Sequence, residues 1–167
     1  MEITIVNGTN RIGNHSMNIT NTLSELCDVR TNIVDLSSFT ELFMGEYINM
    51  DNASKAQRVD LMSIKNADII IFVVPVYHHG IPASLKNFFD IVELPELYDN
   101  AIIGFISANK KSVDGARQAS QILSGCLSYF KNKQSYIVPT IPIIDPKQPD
   151  PERISDFLAE LMDYYSS

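Results

Sequence analysis

Six consecutive residues, Ile69-Ile70-Ile71-Phe72-Val73-Val74, form an apolar run dominated by β-branched side chains and closed by Pro75. A strand with one face in water alternates polar and apolar residues. A run without a polar member belongs to a strand covered on both faces, as parallel sheets are. Such a sheet needs helices on either side, and the rest of the chain supplies them in alternation. Ile3 to Val6 reads as a short buried strand, and Ile19, Leu23 and Leu26 then repeat at helical spacing. Val29 to Leu36 reads as a second strand, and Ser54 to Ala67 as a helix capped by Ser54 with a weak apolar face. Ile81 to Val92 follows as a helix with Pro82 in its first turn, then a strand from Ala101 to Ile106. Ala116, Ala119, Leu123 and Leu127 make one helical stripe, Tyr136 to Val138 a last short strand, and Ile154, Phe157, Leu158, Leu161 and Met162 an amphipathic closing helix.

Two stretches lie outside this alternation. Ser37 to Asn52 is irregular and rich in turn formers. Pro139 to Pro151 holds five of the eight prolines and reads as a stiff extended connection. The alternation predicts a doubly wound α/β sheet in three layers, α/β/α, with five parallel strands in the order 2-1-3-4-5. No repeat, low-complexity tract or boundary interrupts it, so residues 1–167 are expected to form a single domain.

With 45% hydrophobic and 20% charged residues, the chain has the composition of an ordinary soluble globular protein. A formal net charge of -7 argues against a broad nucleic-acid surface and leaves room for docking to a basic partner. Cys27 and Cys126 give neither metal-ligand spacing nor a disulfide framework, and they fit a reducing cytosol as small buried hydrophobes. Met1 runs directly into the first strand, so no signal peptide is expected, and Ile69 to Val74 is too short to cross a membrane. A cytoplasmic protein with no membrane and no nucleic-acid partner is the expectation.

In doubly wound sheets ligands bind beyond the carboxyl ends of the strands, where the strand order reverses. Three loops meet there: Gly8 to Ser16, Pro75 to Gly80, and Ser107 to Ser112. The first stops a strand at a glycine and opens a helix, which is how an anion site is built, because the helix N-terminus presents unpaired N–H groups. Thr9, Asn14 and Ser16 add side-chain donors and Arg11 a guanidinium fork. The spacing fits neither G-x-G-x-x-G nor the Gly-Lys-Ser/Thr ending of a nucleotide P-loop, so a phosphate monoester on a smaller cofactor suits it better. An ordinary strand–helix turn capped by Asn14 or Ser16 is the competing reading. In the second loop, Tyr77, two histidines, a turn glycine and two flanking prolines suit a flat heteroaromatic ligand. A rigid proline-bounded turn with surface histidines is the alternative there. Adjacent His78 and His79 lack a nearby carboxylate or cysteine and make a poor metal site. Lys86 and Asp90, four residues apart, read as a helix-surface ion pair. No Ser-His-Asp set, Gly-x-Ser-x-Gly elbow or carboxylate pair is visible, so no side chain is assigned as catalytic.

Gly8-Thr9-Asn10-Arg11 with Asn14-His15-Ser16, followed by Pro75-Val76-Tyr77, Pro82 and Leu85-Lys86-Asn87 with Asp90, resembles the NADPH-dependent FMN reductase family of flavodoxin-like proteins. The match in element order extends over nearly the whole chain. The resemblance implies FMN, its phosphate held by Thr9, Arg11, Asn14 and Ser16 and by the backbone at His15 and Met17. It places Pro75, Val76, Tyr77, His78, His79 and Gly80 along the isoalloxazine ring, with Ser107 at its flank. It implies hydride transfer from NADPH or NADH to flavin N5 and then reduction of a small acceptor (a quinone, azo compound, metal oxyanion or free flavin), with the cofactor carrying the chemistry. Backbone N–H groups, His78 or His79 would stabilise the reduced anion. His79, Ala83 and the glycine-free Ser107-Ala108-Asn109-Lys110-Lys111 depart from the family pattern, and Lys110 and Lys111 offer charge to an anionic substrate or to solvent. The resemblance also implies a homodimer or homotetramer, for which Leu85 to Val92, Leu94 and Leu97 are the expected contact. Ser37 to Met50, with Phe39, Phe43, Met44 and Tyr47, is expected to line the acceptor pocket, join a subunit contact or form a partly exposed cover. A flavodoxin-type electron carrier and a flavin-free interaction protein are the alternatives.

Overall fold

The computed structural model describes residues 1–39, 47–94, 96–110, 112–130 and 135–167. Phe43, Met44 and Lys111 lie outside the described residues. The first strand, β1 (Ile3–Asn7), leads to α1 (Ser16–Leu26), β2 (Thr31–Asp35) and a 3-10 turn at Leu36–Phe39. Then come α2 (Lys55–Lys65), β3 (Ile69–Pro75), α3 (Ala83–Ile91), β4 (Ile102–Ala108) and α4 (Val113–Phe130). β5 (Tyr136–Ile137), β6 (Ile143–Ile144) and α5 (Pro151–Ser166) complete the order.

The strands pair in parallel in the order β2-β1-β3-β4-β5, as the alternation predicts. β3 shows why its sequence is apolar throughout. Ile69, Ile71 and Val73 join a core with Ile19 and Leu23 of α1 and Ile154, Phe157 and Leu161 of α5. Ile70, Phe72 and Val74 point the other way, into a core with Leu61 and Ile64 of α2, Leu85, Phe88 and Phe89 of α3, and Leu123 and Leu127 of α4. The period of two in a strand divides one apolar run between two helical layers. At about 25 cal/mol per Å² of buried apolar surface, these two cores dominate what opposes chain entropy.

Three expectations need correction. The segment after Val138 is not only a connection. Ile143 and Ile144 pair in parallel with Ser107 and Ala108, while Tyr136 and Ile137 pair with Ile102 and Ile103. The outer strand is thus one line broken in two. Pro139 and Pro142 lack the N–H groups a continuous ladder requires. Second, Pro82 stands just before α3 as its cap position, not inside the first turn. Third, the expected subunit contact is used up within the chain: Leu85, Phe88, Phe89, Val92, Leu94 and Leu97 are all at most 7% exposed. Phe88 packs edge-on against Phe39 at 4.9 Å between ring centroids, and Phe89 lies 5.8 Å from Phe72 of β3. α3 is wedged between the sheet and the 3-10 turn, which buries two consecutive aromatics. Ser54 does cap α2, through a reciprocal box with Gln57. Of the Ser37 to Met50 segment, Phe39 is buried and Tyr47 exposed, and Ile48 bonds into the backbone at Ile91 and Glu93.

Candidate functional site

β1, β3 and β4 end side by side, and the loops that leave them form one edge. The first loop departs through Gly8, whose N–H donates to the Val73 carbonyl of β3 at 2.8 Å. A Cβ there would lie 2.9 Å from that same oxygen and 3.2 Å from Leu85 Cδ2. Only glycine lets the loop pass this close to β3 and α3.

Beyond Gly8 the chain turns on itself. The Thr9 N–H donates to the Asn7 carbonyl at 2.8 Å, and Thr9 Oγ1, almost fully buried, accepts from the Arg11 N–H at 3.3 Å. Asn14 Nδ2 donates to the Arg11 carbonyl at 2.8 Å, and Asn14 Oδ1 accepts from the Met17 N–H at 3.1 Å. Asn14 therefore performs the capping expected of Asn14 or Ser16, three residues ahead of the N–H it satisfies. His15 occupies the boundary position without a side-chain cap. The Ser16 hydroxyl lies 2.7 Å from Asn7 Oδ1 and 2.6 Å from Asn14 Oδ1. The side chains of Asn14 and Ser16 are thus engaged in shaping the loop. Among the described residues, the amides of His15 and Ser16 face no acceptor, and Arg11 projects exposed with no carboxylate partner. This divides the loop into a polar scaffold and a set of donors without acceptors at a helix N-terminus, where the dipole adds positive potential. The scaffold's central member, Asn7, falls between the strand read as Ile3 to Val6 and the loop read from Gly8, and the structure makes it the last residue of β1.

The second loop is a two-residue hairpin turn. Tyr77 and Gly80 exchange backbone hydrogen bonds of 3.1 and 2.9 Å. His78 and His79 between them hold φ of 49° and 64°. Two consecutive left-handed residues define a type I′ turn, usually made by Asn-Gly, and histidine tolerates that region better than most residues. Both imidazoles are exposed, Tyr77 is 37% exposed, Val76 half-buried and Pro75 buried at the end of β3.

The third loop is organised by Asn109. Its Nδ2 donates to the Ser107 hydroxyl at 2.7 Å, and its Oδ1 accepts from the Ser112 N–H at 2.7 Å. Ser112 Oγ in turn accepts from the Gly115 N–H at 3.0 Å and caps α4. A Cβ on Gly115 would approach Val76 Cγ1 to 2.8 Å, so α4 begins directly against the second loop. Ser107 is buried and Lys110 exposed. The second and third loops therefore touch, the first passes against β3 and α3 beside them, and every expected site residue lies on this edge.

Among the described residues no group of three or more His, Cys, Asp or Glu could hold a metal ion. No helix among them is long and apolar enough to cross a membrane. Shifted acid–base groups lie elsewhere. Burial pushes up the Asp60 carboxyl on α2, against a hydrogen bond from Ser38 and with some help from the charge of Asp35. It likewise raises the Cys126 thiol on α4.

A doubly wound parallel sheet in this strand order, with a loop that opens a helix at the reversal between β1 and β3, defines a flavodoxin-like protein. Residues 1–140 match the family model described as NADPH-dependent FMN reductase, and the chain belongs to that family. It is accordingly an NAD(P)H-dependent oxidoreductase with FMN as its cofactor. Similar folds include an oxidoreductase from Corynebacterium diphtheriae (TM-score 0.74, 15% identity, 97% of this chain and 94% of that one). A flavodoxin, WrbA-like protein from Agrobacterium tumefaciens gives TM-score 0.69 at 15% identity over 99% and 97% of the two chains. The flavoenzyme NAD(P)H:(acceptor) oxidoreductase FerB from Paracoccus denitrificans gives 0.67 at 18% over 98% and 94%. At these identities the likeness is one of fold. No curated protein matches the chain in sequence.

Proposed function

We propose that Gly8 to Met17 hold the phosphate of FMN and that Pro75 to Gly80, with Ser107 beside them, line its ring. The observation that carries this reading is the division of the first loop. Asn7, Asn14 and Ser16 bond to one another, while the His15 and Ser16 amides and the Arg11 guanidinium remain to meet an anion. The set suits a phosphate monoester: fixed N–H groups at a helix start, one delocalised cation, and no carboxylate from residue 8 to 16. The hydroxyl proton of Thr9 adds a donor, since its oxygen already accepts from Arg11. Bound FMN would supply the electron-accepting ring through which NAD(P)H reduces a small acceptor. The chain's own part is to fix the phosphate end, present Tyr77 and the His78–His79 turn along the ring, and offer backbone donors to developing negative charge.

The acceptor belongs to the class of quinones, azo compounds, metal oxyanions or free flavin. An NAD(P)H:(acceptor) oxidoreductase among the proteins of similar fold accords with this. Assembly as a homodimer or homotetramer is part of the same reading, and light scattering tests it. The site assignment is tested by Arg11→Ala. A charge-assisted hydrogen bond contributes about 1.5–3 kcal/mol, so FMN affinity is expected to fall about 10- to 100-fold. Spectral titration of the purified protein measures this. Unchanged affinity would remove the loop from the FMN site.

A further inference from the structure

Asn7 is the one polar residue of β1 whose side chain reaches into the first loop. Its backbone is locked in the sheet, in register with Asp35 of β2 on one side and Val73 of β3 on the other. Its side chain is 0% exposed. A primary amide in that position is costly unless its hydrogen-bonding groups are matched. The matches all come from the loop. Asn7 Nδ2 lies 3.4 Å from the Thr9 carbonyl and 3.4 Å from Asn14 Oδ1, and Asn7 Oδ1 accepts from the Ser16 hydroxyl at 2.7 Å.

The orientation of the amide follows from these partners. Turned over, it would set its oxygen against two other oxygens, those of Thr9 and Asn14. Ser16 must then act as donor to Asn7, although Asn14 Oδ1 is equally near at 2.6 Å. One hydroxyl proton thus serves two amide oxygens. Asn14 has a second donor in the Met17 N–H, whereas Asn7 Oδ1 depends on Ser16. A single side chain anchored in a central strand therefore ties together the start, the cap and the end of the anion loop.

We propose that Asn7 is a positioning residue for cofactor binding: it fixes the His15 and Ser16 amides where they meet the FMN phosphate, without touching the cofactor. The proposal rests on the reading of this loop as the FMN phosphate site. Asn7 lies beneath the loop, so its contribution appears only in the part of affinity that depends on the phosphate.

The test compares FMN with riboflavin, which has the same ring and lacks the phosphate. Dissociation constants for both are measured on wild-type protein and on Asn7→Leu, which keeps the branched shape of the buried side chain at a somewhat larger volume and removes its polar groups. The expected result is a loss of about tenfold or more in the FMN-over-riboflavin preference, riboflavin affinity staying within about twofold. A folded Asn7→Leu protein with the wild-type preference overturns the proposal while leaving the phosphate site intact. A wild-type protein that binds both flavins equally overturns the phosphate reading itself. If Asn7→Leu does not fold, Asn7→Asp carries the test. It keeps the acceptor for Ser16 and loses both Nδ2 donors, and protonation of its carboxyl restores one donor. Its preference relative to wild type is then expected to rise as pH falls. A preference equal to wild type at every pH overturns the proposal.

Discussion

The substitution Gly8→Ala tests the closeness of the first loop to the sheet. Gly8 does not have a positive φ, so alanine meets no backbone strain there and the outcome depends on space. The new Cβ would lie 2.9 Å from the Val73 carbonyl oxygen and 3.2 Å from Leu85 Cδ2. The leucine methyl can rotate away. The carbonyl cannot, because it belongs to a buried central strand and is the acceptor for the Gly8 N–H itself at 2.8 Å. Relief requires the loop to lift from β3, which lengthens that bond. Inserting a methyl group into a packed site costs about 1–3 kcal/mol. The lower entropy of an unfolded alanine returns about 0.4–1 kcal/mol. The net cost is about 1–2 kcal/mol, which for a chain of this size lowers Tm by about 2–8 °C. Because the loop moves, the increment in Tm given by saturating FMN should shrink too, as affinity for the folded state sets that increment. Thermal melts by circular dichroism, with and without FMN, read both effects. A Tm at or above wild type with an undiminished FMN increment would refute the reasoning, since only the entropic gain would then be acting.

Two further perturbations address other parts of the molecule. His79→Val puts a β-branched residue at φ 64°. Such residues are poorly accommodated in the left-handed region, so a loss of about 1–2 kcal/mol and a Tm lower by about 2–8 °C is expected. A Tm equal to that of wild type would contradict a type I′ turn at Tyr77 to Gly80. Asp60→Asn concerns a carboxyl whose pKa is raised in the folded state, chiefly by burial. A folded pKa above the unfolded one means the ionised group opposes folding. That cost is fully present above the folded pKa and disappears as pH falls below the unfolded value near 4. Asp60→Asn should therefore stabilise at neutral pH, with an advantage that narrows on acidification, and urea midpoints across that range measure it. An advantage that widens as pH falls would reverse the assigned sign.

The architecture was legible because strands buried on both faces leave an unambiguous trace. Ile69 to Val74 could only be a central strand, and its alternate residues do go to two separate cores. The outer strand was harder to read, because its pairing depends on β4 and its prolines mask it. Ile143 and Ile144 look like part of an extended connection until Ser107 and Ala108 are seen beside them. The apolar residues of α3 illustrate a different limit. Sequence shows that Phe88 and Phe89 must be covered but not by what, and here the 3-10 turn and β3 cover them. In the site, the residue types at the loops were legible while their division of labour was not. Asn14 and Ser16 carry donors in the sequence, and in the fold those groups bond within the loop itself. His78-His79 bears no resemblance to the Asn-Gly pair that announces a type I′ turn, so its backbone was invisible until φ was known.

Those internal bonds bear on how such a loop would bind an anion in a chain of net charge -7. Side chains that donate directly to a ligand lose rotamer freedom on binding, at about 0.5–1.5 kcal/mol each. Asn7, Asn14 and Ser16 have already lost theirs on folding, and the bonds among them hold the backbone that bears the free amides. Those amides cannot rotate or be screened away, and they meet an anion with no further ordering. Arg11, exposed and without a carboxylate partner among the described residues, would supply the full charge but must be ordered on binding. The fixed amides would then set which group the loop accepts and the arginine how strongly. On this argument Arg11→Lys should retain most of the preference for FMN over riboflavin, whereas Asn7→Leu should lose it with the charge untouched. If instead both substitutions left the preference intact, charge alone would account for recognition and the buried network would be no more than packing.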